Sequence, residues 1–464
     1  MLRSMPACWR CNRRELFVRV GGSFSAASFV FAQHHEPLPG TTVQPPSPIV
    51  GDADIRLRIG EITLELSPRR SVRTIAYNGQ VPGPLLRARV GRPLTVDVWN
   101  DTRHDELVHW HGFHIPSEVD GAREEGTPTV PPNGGHRRYS FVPRPAGTRW
   151  YHSHGMTGRD LNRSTYTGQF GMFLVESADD PGAYDQEVPI LLHEWDPRFT
   201  DGGSDIEFRY YSINGKMLGA GEPIRVRQKQ RVLFRMLNAS ATLHHRLALP
   251  GHRFYVTALD GYAVPSPREV PTISLAPGER VDAIVEMNRP GVWVLGEVDR
   301  QPREGGMGIA VEYDGEPGPA RWLDAPPHAW DYSTFAGDTT PLPEPDGRLS
   351  LVLKPTGDRH HWTINGKSHP RTDDIIVQSN KRYRWILDNQ SAEPHPIHLH
   401  RHSFRLVRVG EKMTAGIIKD VVVVPAWQQA EIELAATEPG LSLFHCHQQF
   451  HMEMGFMAMM RYSD

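Results

Sequence analysis

Apolar and polar residues alternate in short runs along most of this chain. The runs IRLRIGEITLEL at residues 55–66 and LLRARVGRPLTVDVWN at residues 85–100 are examples. Because successive side chains of a β-strand point to opposite faces, this period of two predicts strands with one buried face. Turn-forming residues separate the runs, and the chain holds 42 glycines and 40 prolines. Long stretches with the helical period are hard to find, so we predict an all-β fold of short strands.

One stretch of sequence occurs three times in the chain. Each copy starts at an Asn-Gly pair, continues through a strand-like run and ends at a second asparagine. The first and second asparagines are Asn78 and Asn100, Asn214 and Asn238, and Asn365 and Asn389. A second shared block follows each copy, and it reads AGTRWYHSH from Ala146, PGVWVLGEV from Pro290 and PGLSLFHCH from Pro439. Repeats of this kind indicate one structural unit present in three copies.

The repeats divide the chain into three units of one all-β type. We place unit one at residues 53–178, unit two at 184–315 and unit three at 349–464, with linkers at 33–52 and 316–348. Short strands at this spacing are typical of Greek-key sandwiches or barrels. The length of 464 residues agrees with about three domains of 100–200 residues each.

Charge and the N-terminal segment bear on the class of protein and its location. The net charge of −3 gives no indication of binding to nucleic acid or to an anionic membrane surface. Arg13 and Arg14 precede a weakly apolar stretch that ends in the small-residue pattern Val30-Phe31-Ala32. We predict a twin-arginine-type export signal at residues 1–32 and a periplasmic or secreted protein; an ordinary secretory signal or an uncleaved tail is the alternative. No other apolar run is long enough to span a membrane.

Cys446 stands in the segment HCHQQFH, which begins at His445. The other two cysteines, Cys8 and Cys11, lie inside the predicted signal, so the mature chain keeps one thiol. If the segment is a strand, His445 and His447 face one way and Cys446 faces the other. One strand then serves two metal sites, and a thiolate with two histidines suits a blue copper site. A zinc-site fragment or a chance cluster is the alternative for this segment alone.

Histidines recur at matched positions in units one and three. They are His109, His111, His152 and His154 in unit one, and His398, His400, His445 and His447 in unit three. The same offsets in unit two give Leu247, Leu249, Gly296 and Val298. Each pair has the form His-x-His, so both rings of a pair lie on one face of a strand. We predict a metal cluster between units one and three with approximate two-fold symmetry, and we predict that unit two is a spacer. Zinc is disfavoured as the metal, because eight imidazoles are more than one tetrahedral zinc site can use.

Four motifs together resemble the multicopper oxidase family in its bacterial three-domain, laccase-like form. They are HWHG at 109–112, YHSH at 151–154, HPIHLHRHSF at 395–404 and HCHQQFHMEMGF at 445–456. The resemblance covers nearly the whole mature chain and implies three cupredoxin-like domains that hold four coppers. It matches His395, Cys446 and His451 with the type 1 copper, His109 and His398 with the type 2 copper, and His111, His152, His154, His400, His445 and His447 with the type 3 pair.

The resemblance also implies an activity. A small reducing substrate gives one electron at a time through the exposed edge of a type 1 histidine, and electrons pass through Cys446 to the histidine cluster, where O2 becomes water. Asp120, in the segment SEVDG, matches the family's acidic residue near the type 2 copper, which implies ligand orientation and proton supply. An ordinary turn aspartate before Gly121 is the alternative. Asp120, Cys446 and His451 are therefore the predicted catalytic residues.

Three positions depart from the family pattern. Phe456 stands at the axial position, where many bacterial relatives have methionine, and the loss of a weak thioether ligand raises the redox potential. A shift of one residue would put Met457 there instead. Met452 stands where bacterial members often have a proton-relaying glutamate, and Glu453 follows it. Arg401 replaces the usual glycine of HLHGH.

The sequence leaves the reducing substrate open. A laccase-like oxidase of phenols or aromatic amines agrees with a high-potential type 1 site. A cuprous oxidase for copper tolerance agrees with the methionines Met452, Met454, Met457, Met459 and Met460, since thioethers bind Cu(I), although core packing also explains methionines. A copper-free cupredoxin scaffold that binds partners ranks last, because all ligand positions are filled. Glu194 and Asp196 are candidates for a carboxylate near the type 1 pocket, and no feature indicates an oligomeric state.

Overall fold

The computed structural model of the chain describes residues 52–177, 184–201, 203, 205–337, 343–357 and 361–463. The predicted export signal at residues 1–32, and the linker 33–52 except for Asp52, lie outside the described residues. The described part consists mostly of strands with a few short helices, which confirms the predicted all-β fold. Within those ranges, no helix has the length and apolar character that crossing a membrane requires.

Unit one is a pair of four-stranded sheets. Its strands are β1 (Ile55–Ser67), β2 (Arg70–Tyr77), β3 (Leu86–Arg89), β4 (Leu94–Asn100), β5 (Val108–His111), β6 (Gly135–Phe141), β7 (Gly147–Ser153) and β8 (Phe170–Glu176). One sheet has the order β2-β1-β4-β6 and the other the order β3-β8-β7-β5. The short helix α1 (Ser117–Asp120) and a 3-10 turn (Ser164–Tyr166) lie in the connections.

Unit two combines a six-stranded and a five-stranded sheet. Its strands are β9 (Gln186–Phe199), β10 (Ile206–Ile213), β11 (Ile224–Val226), β12 (Arg231–Asn238), β13 (His245–Ala248), β14 (Phe254–Leu259), β15 (Tyr262–Val270), β16 (Ile273–Leu275), β17 (Arg280–Glu286), β18 (Val292–Glu297) and β19 (Gly308–Tyr313). The sheet orders are β10-β9-β12-β17-β14-β15 and β11-β19-β18-β13-β16. Helix α2 (Arg300–Glu304) precedes the last strand.

Unit three combines a seven-stranded and a five-stranded sheet. Its strands are β20 (Gly347–Pro355), β21 (Trp362–Ile364), β22 (Ile375–Gln378), β23 (Arg382–Asn389), β24 (His395–Leu399), β25 (Phe404–Val409), β26 (Lys412–Met413), β27 (Ile418–Lys419), β28 (Val421–Val424), β29 (Gln429–Ala435), β30 (Ser442–Cys446) and β31 (Met457–Ser463). The sheet orders are β21-β20-β23-β29-β25-β26, with β27 beside β25, and β22-β31-β30-β24-β28. Helix α3 (Gln449–Glu453) follows β30.

The three units share one strand topology. In one sheet of each unit, β1 and β4, β9 and β12, and β20 and β23 are parallel neighbours. In the other sheet, β3 and β8, β11 and β19, and β22 and β31 are parallel neighbours. The remaining pairs within the sheets are antiparallel, and apolar side chains fill the space between the two sheets, as in a β-sandwich.

The repeated asparagines explain why the same strand ends recur. The first asparagines Asn78, Asn214 and Asn365 have φ of 51–52°, a left-handed conformation that asparagine tolerates better than most residues. Their Oδ1 atoms accept from the backbone amides of Arg58, Leu191 and Val352, each in the first strand of its unit. The second asparagines donate from Nδ2 to the loop carbonyl oxygens of His104, Leu243 and Glu393. These bonds fix the loops that lead into β5, β13 and β24.

The linker between units two and three bonds to both of them. Strand β20 begins at Gly347, two residues before the predicted start of unit three. Within the linker Tyr332 is buried, its hydroxyl donates to Glu279 of unit two, and it accepts from the amide of Val423 of unit three.

Candidate metal centre

Paired strands in units one and three hold the repeated histidines. In unit one β5 lies antiparallel to β7, and His109 is opposite His152. In unit three β24 lies antiparallel to β30, and His398 is opposite His445. The predicted strand through residue 447 ends at Cys446, one residue short of His447. The two halves therefore present their histidines on equivalent strands.

The eight histidines form one buried cluster with two-fold symmetry. The rings of His109 and His400 are stacked with centroids 3.9 Å apart, and the rings of His111 and His398 are stacked at the same 3.9 Å. Two further equivalent contacts, His154 with His445 and His152 with His447, have centroids 5.3 and 5.4 Å apart. Every ring is buried. The structure thus brings together all eight histidines that the offsets select.

Half of these rings are held through Nδ1. The Nδ1 atoms of His109, His152, His398 and His445 donate to the backbone carbonyls of Asp120, Ser153, Asp420 and Cys446. Among the described residues, the buried Nε2 atoms of His109, His152 and His398 have no hydrogen-bond partner. Their lone pairs are therefore available to a metal, with the tautomer set by the other nitrogen. Two triads close enough to share an ion are His154, His400 and His445, and His109, His111 and His152.

Burial keeps the imidazoles in the form that binds metal. It lowers the pKa of His111, His152, His154, His398 and His445 well below the usual value, the pKa of His400 to about 4 and that of His447 to about 3. Neighbouring histidines add to the effect. Since only neutral imidazole offers a lone pair, the cluster is prepared for metal near neutral pH.

Two aspartates hold the cluster from opposite sides. Asp120 accepts from His400 Nδ1 at 2.9 Å through Oδ2, and its carbonyl accepts from His109. Asp420 accepts from His111 Nε2 at 3.1 Å through Oδ1, and its carbonyl accepts from His398. The two aspartates are therefore symmetry equivalents. Asp420 was not predicted from the sequence, where its only signal is the charged pair Lys-Asp directly before the apolar run of β28.

A second carboxyl group stands beside Asp120. Glu125 is buried, lies 3.3 Å from His400 Nδ1, and accepts from the amide of Leu443. Burial and the neighbouring Asp120 raise the pKa of Glu125 well above its usual value. Burial alone would raise the pKa of Asp120 too, but His109 and His400 outweigh it and hold that pKa well below the usual range. Two carboxyl groups with oppositely shifted pKa values therefore lie side by side at the cluster, and Glu125 was not predicted from the sequence.

The predicted type 1 ligands meet on the other face of β30. Cys446 Sγ lies 3.8 Å from His395 Nδ1 and 3.7 Å from His451 Nδ1. All three side chains are buried, and burial raises the pKa of the Cys446 thiol. Because a bound metal deprotonates a coordinating thiol, the donor set fits copper with one thiolate and two imidazoles. Trp362, which the sequence analysis missed, packs against both histidine rings.

One side of this group of donors is apolar. Phe456 is fully buried, stacks on Trp362 with ring centroids 5.2 Å apart, and contacts His395 at 5.0 Å. Met457 pairs with His445 in the sheet and packs in a separate apolar cluster with Leu443. The structure thus places Phe456 on the side of Cys446, and Met457 on the opposite face.

The other two departures have structural roles. Arg401 is buried, and its guanidinium donates to the carbonyls of Ile115, Leu441 and Pro439, so its charge does not face solvent. Glu453 accepts from the amide and hydroxyl of Thr157 in unit one. Both residues tie unit one to unit three.

One edge of the predicted type 1 site reaches the surface. His451 Nε2 lies 3.4 Å from Oε2 of Glu393, whose side chain is 59% exposed. Of the two carboxylates named in the sequence analysis, Glu194 is buried and bonds to His245 and Ser240, and Asp196 pairs with Arg198. The carboxylate at this edge is therefore Glu393, two residues before the HPIHLH motif.

In unit two, a charged triad occupies the position that corresponds to the predicted type 1 ligands of unit three. In unit two Ala248 is opposite Gly296, whereas in unit three His398 is opposite His445. The strand register therefore differs by one residue from the offsets counted from the second asparagines. It places His245 where unit three has His395, and Glu297 where unit three has Cys446. His245 Nδ1 donates to Glu297 at 2.9 Å, and its Nε2 bonds to Glu194. All three are buried. Burial alone would lower the pKa of His245, but the two carboxylates raise it to about 9.

This buried triad predicts a loss of stability at alkaline pH. The folded pKa of His245 lies above its unfolded value, so its contribution is fully present below about pH 6.5 and is lost as pH rises through about 9. The shift corresponds to roughly 3 kcal/mol. We expect the melting temperature of the metal-free protein to fall over this window.

The test compares two histidine variants of unit two. His245→Gln should be less stable at neutral pH, and its melting temperature should fall much less above pH 6.5 than that of the parent protein. His252→Gln should show the same fall as the parent protein, since His252 bonds to Tyr313 and not to a carboxylate. Equal pH slopes in His245→Gln and the parent protein would contradict the assignment.

Comparison with known proteins places these features in a family. Three family models, each described as multicopper oxidase, match residues 59–180, 193–311 and 344–464. Multicopper oxidase MmcO of Mycobacterium tuberculosis is 31% identical over 436 residues, which cover 84% of this chain and 83% of that protein. Multicopper oxidase mco of Staphylococcus epidermidis is 24% identical over 408 residues and 84% of each protein.

A solved structure shows the same fold. The laccase-like multicopper oxidase CueO of Ochrobactrum sp., described with oxidase activity towards lignin model compounds and lignosulfonate, superposes with a TM-score of 0.73. The match covers 90% of this chain and 100% of that one, at 21% identity.

Proposed function

Since this chain belongs to the multicopper oxidase family and is a copper-dependent oxidase, we propose that it is a laccase-like enzyme. Its substrates are phenols and aromatic amines, and its electron acceptor is O2. The single observation that carries the substrate class is the exposed carboxylate of Glu393 at the edge of His451.

We assign four coppers to the two groups of donors. The type 1 ligands are His395, Cys446 and His451, the type 2 ligands are His109 and His398, and the type 3 ligands are His111, His152, His154, His400, His445 and His447. When bound, copper supplies one-electron oxidation at the first site and four-electron reduction of O2 at the second. Cys446 is bonded through the backbone to His445 and His447, so one strand end connects the sites covalently.

The chain's own residues supply orientation and protons at the cluster. Asp120 orients His109 and His400 through its carbonyl and carboxylate, and Asp420 does the same for His398 and His111. Glu125 lies 3.3 Å from His400 Nδ1, and burial together with the neighbouring Asp120 raises the pKa of its carboxyl group, which favours the protonated form. This carboxyl supplies the acidic function that Met452 does not have.

The surface at His451 supports organic substrates. A carboxylate beside the electron-accepting edge accepts the hydroxyl or amino proton of a phenol or an aromatic amine. Trp427 is 69% exposed, and its amide donates to the carbonyl of Ser391, whose hydroxyl bonds to His395 Nε2. These contacts place the backbone of Trp427 next to the loop that holds Ser391 and Glu393. An exposed carboxylate beside a ligand histidine suits a ring that carries a proton donor.

The methionine group gives no support to the cuprous oxidase alternative. Met452, Met457, Met459 and Met460 are buried, and Met454 packs against the core. Buried thioethers in apolar clusters act as packing rather than as an exposed path for Cu(I). The buried free nitrogens and the thiol of the two donor groups count against a copper-free scaffold.

The test follows oxygen consumption by the copper-loaded protein with a methoxyphenol and with Cu(I). We expect faster turnover on the phenol. Glu393→Gln should raise KM for the phenol by about tenfold, the size expected from one hydrogen bond to a charged group, with the blue absorption unchanged. Faster turnover on Cu(I) would overturn the substrate assignment.

A matched variant separates the site from general surface charge. Glu411→Gln removes an exposed carboxylate from the same unit, and it should leave both activities unchanged. If Glu393→Gln behaves like Glu411→Gln, Glu393 does not contact the substrate.

A further inference from the structure

Unit two contributes no histidine to the cluster, yet it contacts the cluster directly. The contact comes from the turn of residues 276–280, which joins β16 to β17 and includes the first residue of β17. The turn is fixed by a bond from the amide of Glu279 to the carbonyl of Ala276, and by one from the amide of Gly278 to the carbonyl of Asn238. It delivers two residues to the metal centre, Gly278 and Arg280.

Arg280 binds Asp420 through two parallel hydrogen bonds. Its Nη1 donates to Asp420 Oδ1 at 2.5 Å and its Nη2 donates to Asp420 Oδ2 at 2.6 Å. Such a paired geometry fixes the plane of the carboxylate as well as its position. Both side chains are fully buried, so solvent does not weaken the pair.

The backbone of Asp420 is held by unit two as well. Asp260 Oδ2 accepts from the amides of Asp420 and Val421 at 3.2 and 3.1 Å. The carbonyl of Asp420 orients His398, and its carboxylate orients His111. Unit two therefore fixes both the backbone and the carboxylate of the residue that holds these two rings.

Charges from all three units surround this pair. The buried cations are Arg149 of unit one, Arg280 of unit two and Lys419 of unit three, and the buried anions are Asp260, Glu279 and Asp420. Lys419 Nζ lies 3.0 Å from both Asp260 and Glu279. Three cations thus face three anions, and a buried charge whose partner is removed is strongly destabilising.

Gly278 makes the second contact with the cluster. A Cβ atom built on Gly278 would lie 2.8 Å from Cδ2 and 2.9 Å from Nε2 of His447. This space admits no side chain, so the backbone of unit two lies against the ring. The φ of Gly278 is +84°, a conformation that favours glycine.

We propose that the turn of residues 276–280 makes unit two a positioning element of the copper cluster: Arg280 sets the orientation of His111 and His398 through Asp420, and Gly278 sets the position of His447. This inference rests on the copper assignment above. Unit two is therefore more than the spacer that its lack of histidines predicts.

The test uses two conservative variants of the full-length, copper-loaded protein. Arg280→Lys keeps the charge but cannot form the two parallel bonds. Gly278→Ala adds one methyl group against His447. The readouts are copper per chain, the blue absorption of the type 1 site, the paramagnetic resonance signal of the type 2 site and the melting temperature.

Each variant has a control within unit two. Arg235→Lys makes the same substitution in another largely buried ion pair, the one between Arg235 and Asp282. It leaves the pair between Arg280 and Asp420 unchanged. Gly219→Ala introduces the same strain, because Gly219 has a φ of +83°, but its Cβ would meet nothing within 4 Å. The controls should keep full copper and unchanged spectra.

We expect Arg280→Lys and Gly278→Ala to weaken copper binding at the histidine cluster by about 10–100-fold and to change the type 2 signal, with the blue absorption preserved. Spectra and copper contents equal to those of the controls would overturn the proposal. A fall in melting temperature with an equal loss of blue absorption would also overturn it, since it would show a general structural role. Failure of the copper assignment is distinguishable, because the parent protein itself would then bind no copper.

Discussion

Replacing Cys446 by serine should abolish the intense thiolate-to-copper absorption and reduce oxidation of phenols to background. Cys446 Sγ faces the Nδ1 atoms of His395 and His451, and a hydroxyl cannot replace a thiolate as the donor that gives blue copper its colour. The substitution removes little volume from a buried site, so the fold should persist, at a cost of about 1–2 kcal/mol. Absorption spectra and oxygen consumption of the copper-loaded variant check this.

The histidine cluster serves as an internal reference for this variant. Its coppers should remain bound, since His445 and His447 keep their positions beside residue 446. Met459→Leu, a volume-conserving change in the apolar cluster on the opposite face of β30, should stay blue. A blue Cys446→Ser variant would refute the type 1 assignment.

Asp120→Asn should lower kcat by about 10–100-fold while the type 1 absorption stays unchanged. Asp120 accepts from His400 and lies 3.1 Å from His109 Nδ1, so an amide removes the ionised partner of two ligands. The result should appear in oxygen consumption with a phenol and in the type 2 resonance signal.

Glu118→Gln is the matched control, because Glu118 lies in the same short helix α1 but is exposed. It should keep full activity. Full activity and an unchanged type 2 signal in Asp120→Asn would show that Asp120 is an ordinary turn residue before Gly121.

The histidine cluster could be predicted because repetition carries its signal. Each His-x-His pair occupies the same offset in units one and three, and the strand register of the structure brings those offsets together. The fold class followed from the same repeats and from the alternation of apolar residues. Both signals lie in the sequence pattern itself, so each can be read without knowing which strands are neighbours.

The residues that hold the ligands could not be predicted in this way. Asp420 and Asp120 are equivalent in space, but they follow His398 and His109 by different numbers of residues, so the offsets do not relate them. Glu125 and Arg280 reach the cluster from different units. Their roles depend on packing between units, which leaves no periodic pattern in the sequence.

Unit two shows the limit of alignment by offset. One additional residue between Asn238 and β13 changes the register, so the position of the type 1 histidine falls on His245. The offsets placed leucines at the cluster positions and gave no indication of the charged triad with Glu194 and Glu297. A single inserted residue is enough to hide such an equivalence.

The two halves of the cluster are far apart in the chain, which determines when it can assemble. His447 and His111 have ring nitrogens 3.3 Å apart but lie 336 positions apart in sequence. A ribosome adds about 5–20 residues per second, so roughly 20–60 seconds separate the synthesis of the two histidines. During that interval the nascent chain offers histidines from unit one without their partners. The complete cluster therefore forms only after translation reaches the last strands, and copper loading is a late event in the biosynthesis of this protein.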